Sequence, residues 1–317
     1  MNDKQQFYDE FFAEMQKAVE PTEIQISGEN LEAVKGIPGI NFYINDTLVI
    51  PPIYPEQYID MCKNGIPMED IVRVEKKIML EKVAEMSVMD IHNADPEEMT
   101  GKIRAAVVNY DSNKDWIKNI PHEKLLDLAV YAKIDYGSDY GIKVDNHMLT
   151  DLHMTKEEVF KAAKQNTAAG RELISVKELA LDYICEHGIG ENETQVVTEL
   201  ISLPSYIFDN RNGTETDGAA VLSSPSTLKQ IHKQFGEDFY ILPCCTDQLL
   251  YLPKSKCSMG IEGLEPFVKQ LNEKEIPIQE QLSDKIYEFD GTALKIAGSA
   301  LTLKKELTNT VSHHRSR

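Results

Sequence analysis

The spacing of apolar side chains changes several times along this chain, and each change predicts a helix or a strand. Apolar residues recur with a helical period over residues 4–19, and Pro21 ends that pattern. They alternate with polar residues over residues 23–27 and 41–50, which predicts a short strand and then a hairpin. The helical period returns over residues 68–86. The first part of the chain is therefore predicted to form a helix, a strand, a hairpin and a long helix.

Three prolines follow the predicted hairpin, at Pro51, Pro52 and Pro55. Proline cannot donate a backbone hydrogen bond, so we expect the strand to end before them. Residues 56–63 then predict a short helix.

Residues 104–164 follow the order strand, helix, strand, strand, helix. Short apolar runs predict the strands, and helical periodicity predicts the helices. The last helix begins at a capping box, in which the Thr155 hydroxyl and the Glu158 carboxylate bond to free amides of the first turn. The predicted elements are a strand at 105–108, a helix at 112–120, a helical turn and a strand within 125–134, a strand at 142–144 and a helix at 155–165.

Residues 218–272 repeat this order, and the sequence Ala-Ala-Val occurs at 219–221 as it does at 105–107. Two similar units indicate an internal duplication, with a chance match between common element orders as the alternative. Between the units, Ser175 is predicted to cap a helix that ends at Gly188. The predicted elements of the second unit are a strand at 219–221, a helix at 225–235, strands at 239–243 and 249–252, a helix at 261–272 and a final hairpin of 285–289 with 294–296.

These patterns predict an α+β or mixed α/β protein. Its two duplicated strand–helix–strand–strand–helix units carry mixed or antiparallel sheets, and a helix and a hairpin precede them. We divide the chain into four parts. They are an N-terminal region with a helix, a hairpin and further helices (1–100), a first α/β unit packed with that region (101–170), a second α/β unit with the C-terminal hairpin (171–300) and a polar tail (301–317).

The composition is typical of a globular cytoplasmic protein with an acidic surface. Of the 317 residues, 42% are hydrophobic and 27% are charged, which is enough apolar sequence to build a core. The net charge of −19 repels nucleic acids and anionic lipid surfaces, so neither is an expected partner. We see no apolar stretch long enough to cross a bilayer and no leader segment. Five irregularly spaced cysteines are typical of reduced thiols in a cytoplasm.

A cysteine nucleophile is the first candidate chemistry. Cys244 and Cys245 follow a predicted strand and are close in sequence to Asp247, while His232 lies on the preceding helix. The neighbouring residues are aromatic and apolar, and such surroundings raise the pKa of a thiol instead of lowering it. We therefore interpret both thiols as buried structural side chains, with a catalytic Cys/His/Asp constellation as the alternative.

A metal site is the second candidate. Asp145, His147 and His153 cluster in sequence and are the candidate ligands. Their spacing matches neither a structural zinc site nor a pair of histidines on one helical face, so we expect surface or capping roles. The sequence contains no glycine-rich phosphate loop, and no cofactor is expected.

One stretch carries a resemblance to a known family. It reads GAAVLSSPSTLKQIHKQFGEDFYILPCCTDQLLYLPKS at 218–255, and LSDKIYEFDG follows it. With Asn-Ile-Pro-His at 119–122 and the Asn-x-x-Leu and Thr-x-Glu-Glu pieces at 146–158, the chain resembles uncharacterised proteins of anaerobic Gram-positive bacteria. The family is a domain of unknown function, so the resemblance implies an identity without an activity. Its members often carry serines at the positions of Cys244 and Cys245, which implies that neither thiol is essential.

These observations favour a non-catalytic cytoplasmic protein that acts as an interaction or accessory protein with an unidentified protein partner. The alternative is a hydrolase that uses Cys244 or Cys245 with His232, or a metal bound near His147 and His153.

Overall fold

The computed structural model describes residues 3–22, 24–27, 39–44, 47–87, 96–135, 141–188, 204–209, 217–243, 245–274, 276–278 and 280–298. Within these residues the chain forms the α+β fold that the sequence predicts, and neighbouring strands pair antiparallel. The chain divides into two compact units, residues 1–167 and 168–317. Among the described helices, none is both long and apolar enough to cross a membrane. The boundary at residue 100 stays a prediction, and the predicted tail lies outside the described residues.

The first unit places its described strands in one sheet. In chain order its elements are α1 (Asp3–Val19), β1 (Ile24–Ser27), β2 (Ile40–Ile44), β3 (Thr47–Ile53), a 3₁₀ turn (Pro55–Tyr58) leading into α2 (Ile59–Lys63), α3 (Met68–Ser87), α4 (Pro96–Lys102), β4 (Ile103–Asn109), α5 (Tyr110–Ile117), β5 (His122–Leu125), β6 (Leu128–Asp135), β7 (Gly141–Lys143), α6 (Asn146–Asp151) and α7 (Lys156–Ala168). The sheet order is β1-β2-β3-β7-β6-β4, and β5 also pairs with β6. Strand β6 therefore has β4 on one side, and β7 and β5 one after the other on the opposite side.

Helix α5 covers one face of this sheet. The Asn109 side chain accepts a hydrogen bond from the Ser112 amide at 2.9 Å, which satisfies a free amide of the first turn. Trp116 and Ile117 then pack against residues of β4 and β6 that share one face by alternation, namely Ala106, Val108, Ala129 and Tyr131. The rings of Trp116 and Tyr131 meet edge to face with 5.3 Å between centroids.

The second unit also places its described strands in one antiparallel sheet. In chain order its elements are β8 (Glu172–Ser175), α8 (Val176–His187), β9 (Tyr206–Asp209), a 3₁₀ helix (Gly218–Ser223), α9 (Pro225–Phe235), β10 (Phe239–Leu242), β11 (Leu250–Pro253), a 3₁₀ turn (Lys254–Lys256), α10 (Gly260–Lys274), β12 (Tyr287–Phe289) and β13 (Leu294–Ile296). The sheet order is β13-β12-β10-β11-β9-β8.

Two helices of this unit pack on opposite faces of its sheet. Leu242 of β10 contributes to the same core as Leu264 and Val268 of α10. Phe239 points to the other face by alternation, where its ring lies 5.4 Å from that of Phe235 in α9. Because Leu242, Leu264 and Val268 are almost completely buried, each of them stabilises the unit by about 1.5–3 kcal/mol.

The predicted helix caps are confirmed. The Glu158 amide donates to Thr155 Oγ1 at 3.3 Å, and the Thr155 amide donates back to Glu158 Oε2 at 2.8 Å. At α8, Ser175 Oγ accepts from the Glu178 amide at 3.4 Å. Gly188 ends α8 with φ of 77°, a conformation that glycine adopts at little cost.

The structure differs from the prediction at residues 218–223, which form a 3₁₀ helix where we expected a strand. Asp217 has a left-handed backbone with φ of 62°, and the Ala219 amide donates to the carbonyl of Thr246. Four consecutive apolar residues form a run that is too short to show either a strand or a helical periodicity. The sequence therefore could not distinguish a buried strand from a helical turn here. Because the first element of the two units differs, the internal duplication stays a prediction.

Strand β3 continues past its predicted end, through Pro51 and Pro52 to Ile53. Its pairing with β7 involves only Val49 and Ile50. The two prolines lie beyond the residues that pair with β7. Their lack of an amide hydrogen therefore costs β7 no hydrogen bond.

The predicted helical turn near Leu125 is instead the end of β5. Leu125 pairs directly with Leu128, so residues 126–127 form a two-residue hairpin loop. A two-residue hairpin loop requires a positive φ, and Leu126 has a φ of 57°. Leucine rarely adopts this conformation, so the sequence did not indicate the turn.

Candidate functional site

The turn between β10 and β11 contains Cys245 and Asp247, the described members of the predicted catalytic set in this segment. The Cys245 amide donates to the Gln248 carbonyl at 3.1 Å and closes the turn. Thr246 ties the turn to its surroundings, because its amide donates to the Glu280 carbonyl at 3.0 Å and its carbonyl accepts from Ala219 at 3.2 Å. The turn is therefore fixed from both sides.

Two carboxylates lie near the thiol of this turn. Burial raises the pKa of Cys245, and the negative charges of Asp247 and Glu280 raise it further, although backbone hydrogen bonds oppose the rise. Burial and the Asp247 charge also raise the pKa of Glu280. The surroundings of Cys245 thus favour the protonated thiol, which is a poor nucleophile.

A buried ion pair lies beside the turn. Arg171 Nη1 is 3.0 Å from Asp209 Oδ1, and the arginine side chain is only 2% exposed. Gln248 of the turn donates to the other oxygen of Asp209 at 3.1 Å. A β-carbon on Gly218 would lie 2.8 Å from Nη1 of Arg171 and would overlap the carbonyl oxygen of Asp247. We call Arg171, Asp209, Gly218 and Gln248 the Arg171 cluster.

The structure does not bring His232 beside Cys245. The His232 ring packs against Phe239, the first residue of β10, and its Nε2 lies 3.2 Å from Asp238 Oδ1. Cys245 lies beyond the other end of β10, which finishes at Leu242, so the two predicted partners lie at opposite ends of this strand. The Asp247 carboxylate accepts from the Asp217 amide at 3.0 Å. Cys244 lies outside the described residues.

The three candidate metal ligands have separate positions around α6. Asp145 caps the helix by accepting from the Met148 amide at 2.9 Å, and His147 is exposed on the first turn. His153 is exposed beyond the helix, with φ of 53°, and its amide donates to the Thr150 carbonyl at 3.1 Å. In the part of the chain that the structure describes, no group of three or more His, Cys, Asp or Glu residues is placed to hold a metal ion.

Helix α8 presents a surface that the sequence analysis did not single out. Its exposed apolar side chains include Leu179 and Tyr183, which lie four residues apart on one face of the helix, and we call these two the α8 surface. Leu181 is also exposed, but it points away from them. Acidic residues at helical spacing lie beside them, namely Glu178, Asp182 and Glu186, and we call these the acidic row. None of the side chains described in α8 is fully buried. The signal was present in the sequence, because apolar residues occupy more of this helix than one core-facing stripe requires.

The comparison with known proteins gives a family without an activity. No curated protein and no solved structure matches the chain. A family model matches residues 4–291, which span most of both units, and it confirms the resemblance to a family of unknown function. By this match, the chain belongs to the family described as "Family of unknown function (DUF5688)".

Proposed function

We propose that the chain is a non-catalytic accessory protein of the bacterial cytoplasm that acts by binding another protein through α8. The observation that carries this proposal is the α8 surface. Leu179 and Tyr183 are both more than a third exposed and lie on one face of a helix of twelve residues. Large apolar side chains that are exposed together on one helix are typical of a site where a partner docks.

The charges beside the α8 surface define the partner. Glu178, Asp182 and Glu186 line one side of the apolar residues, and the chain as a whole has a net charge of −19. A second copy of the chain would bring two acidic rows together, which is unfavourable. The expected partner is therefore a protein segment with apolar side chains flanked by lysines or arginines.

The alternative function, a hydrolase, needs a thiolate near an imidazole or ligands that meet around a metal. The raised pKa of the Cys245 thiol and the position of His232 at the other end of β10 favour the non-catalytic proposal. The described cysteines are free thiols, as expected for a reducing cytoplasm, and they are Cys62, Cys185, Cys245 and Cys257.

The proposal is tested with a labelled synthetic amphipathic peptide of leucine and lysine, whose binding to the full chain is followed by fluorescence anisotropy. Replacing both Leu179 and Tyr183 by serine removes the two apolar side chains of the α8 surface, and we expect at least about tenfold weaker binding. The matched control is Val74→Ser in α3, because Val74 is 53% exposed and Tyr183 is 52% exposed. The control variant should bind the peptide as tightly as the unmodified chain.

A leucine–glutamate peptide of the same length separates apolar binding from charge. It should not bind, because the acidic row repels it. If the α8 variant binds the peptide as tightly as the Val74 variant does, the proposal is contradicted, since the peptide would then recognise only the overall negative charge. Circular dichroism of each variant establishes that the helices are intact.

A further inference from the structure

The acidic row beside the α8 surface carries charges that no described cation compensates. Glu178, Asp182 and Glu186 are each four residues from the next, so like charges are neighbours along the helix, which is unfavourable. No ion pair between described residues involves any of these three carboxylates. A segment with positive charge that docked on the α8 surface would therefore relieve the repulsion within the row.

One segment of the same chain has the complementary chemistry, and we call residues 299–317 the basic segment. It lies outside the described residues, and it contains four lysines and arginines but a single glutamate in a chain whose net charge is −19. Leu307 and Val311 have the same four-residue spacing as the two residues of the α8 surface. At helical spacing, Lys304 and Arg315 lie along one side of that pair, as the acidic row lies along one side of the α8 surface. The two sequences therefore match in both apolar spacing and charge.

The basic segment begins next to a core that α8 also contacts. Ala297 belongs to this buried core, and Val176, the first residue of α8, packs against the same core. A β-carbon on Gly298, the next residue, would lie 3.7 Å from Cδ1 of Ile261 in α10. The edge strands β13 and β8 are five strand spacings apart, or about 24 Å. An extended chain spans about 3.3 Å per residue, so Leu307 can reach about 30 Å from Gly298, which is far enough.

We propose that the basic segment docks on the α8 surface of its own chain and competes there with other proteins. The inference rests on the proposed function, because it assigns a regulator to the same surface. A tethered segment acts at an effective concentration of roughly 1 mM, which a second copy at roughly 1 µM does not match. A docking affinity of about 0.1 mM therefore keeps the α8 surface about nine-tenths occupied and weakens partner binding about tenfold.

Photo-crosslinking in the full chain tests this contact directly. A photo-reactive amino acid at Leu307 should give a link within one chain to residues 176–187, which mass spectrometry of peptides locates. The same probe at Lys305, on the opposite side of the segment at helical spacing, is the control and should give much less of this link. Replacing Leu179 and Tyr183 by serine should remove the link. The proposal is overturned if position 307 gives no link to α8, or if the link forms only between copies in a mixture of isotope-labelled and unlabelled chains.

The competition itself is measured with the leucine–lysine peptide and fluorescence anisotropy. Lys304→Glu places a negative charge against the acidic row, so the full chain should bind the peptide at least about threefold more tightly. Lys305→Glu changes the net charge by the same amount on the other side of the segment and should bind as the unmodified chain does.

The failure of this inference can be told apart from the failure of the proposed function. Equal peptide affinities of the unmodified and Lys304→Glu chains, with weaker binding by the α8 variant, would overturn the docking and leave the proposed function intact. A peptide that binds none of these chains would contradict the proposed function, and the link from position 307 would then decide the docking by itself.

Discussion

Single residues of the second unit show how a buried charge shapes a loop. Arg171 is almost completely buried and meets Asp209, which also accepts a hydrogen bond from Gln248. The pair therefore connects β9 to the turn after β10, and Gly218 leaves the space that the guanidinium occupies. A buried pair of this kind adds little stability compared with an apolar pair, but breaking it leaves an unpaired charge inside the protein.

We expect Asp209→Ala to destabilise the second unit by about 3–5 kcal/mol, because Arg171 then stays buried without its carboxylate. The control is Asp70→Ala, which removes an exposed partner of Arg73 and should cost about 0–1 kcal/mol. Urea unfolding followed by circular dichroism measures both. An Asp209→Ala chain as stable as the control would show that water already reaches Arg171.

The stability of the first unit should depend on the charge of Lys143. Its pKa is lowered on folding, so between the folded and unfolded pKa values the unfolded chain binds more protons. Stability therefore rises with pH through this window and levels off near the unfolded pKa of about 10.4. We expect Lys143→Met to remove this rise below the unfolded pKa, whereas the same change at the exposed Lys118 keeps it.

The fluorescence of Trp116, the single tryptophan, follows urea unfolding of the first unit at each pH. If the Lys143→Met chain shows the same increase as the unmodified chain, burial does not perturb this amine.

The reactivity of Cys245 distinguishes a structural thiol from a nucleophile. Burial and two carboxylates raise its pKa, so we expect iodoacetamide to label it more slowly than the exposed Cys185 near neutral pH. Mass spectrometry of peptides measures both rates in a Cys244→Ser chain, where labelling of the turn reports on Cys245 alone. Labelling of Cys245 that is faster than that of Cys185 would favour the hydrolase.

At the scale of elements, the clearest constraint is on the 3₁₀ helix that begins at Gly218. We expect Gly218→Ala to cost about 1–3 kcal/mol, because the new methyl group overlaps the Asp247 carbonyl. The same change at Gly101 in α4 meets no atom within 4 Å and should stabilise the chain by up to about 1 kcal/mol through helix propensity. Thermal unfolding of the two variants should therefore shift in opposite directions. A Gly218→Ala chain that melts at or above the unmodified chain would refute the close approach.

Helices and strands differ in how far the sequence could predict them. Helix α8 was predicted because Ser175 and Gly188 act through local hydrogen bonds and local backbone geometry. The 3₁₀ helix at Gly218–Ser223 was not predicted, because the hydrogen bond from the Ala219 amide to the Thr246 carbonyl joins residues that are far apart in sequence. Strands β8 and β9 were also missed, since each has four residues and gains its stability from the partner strand.

The candidate sites were less predictable than the elements. Alternation does place Lys133 on the face of Tyr131, but its opposition to Lys143 depends on a pairing register that local sequence does not specify. The partnership of Arg171 with Asp209 likewise joins residues 38 positions apart. The predicted pairing of Cys245 with His232 relied on closeness in sequence, and β10 separates the two residues.

At the scale of the whole molecule, the two units carry different features. The first holds Lys133 and Lys143, which are buried and lie directly opposite each other, and the second holds the Arg171 cluster and the α8 surface. The net charge of −19 favours the partner proposed for the α8 surface, one that carries positive charge beside apolar side chains. The proposed function, binding of another protein, therefore rests on the second unit.

The most direct test of this account places a photo-crosslinking amino acid at Tyr183 of the full chain, in the cells that produce it, with Val74 as the matched exposed position. The account predicts a discrete adduct with a basic protein from position 183, no such adduct from position 74, and loss of the adduct when Glu178 and Asp182 are replaced by lysine. An absence of adducts at position 183, or the same adduct from both positions, would contradict it.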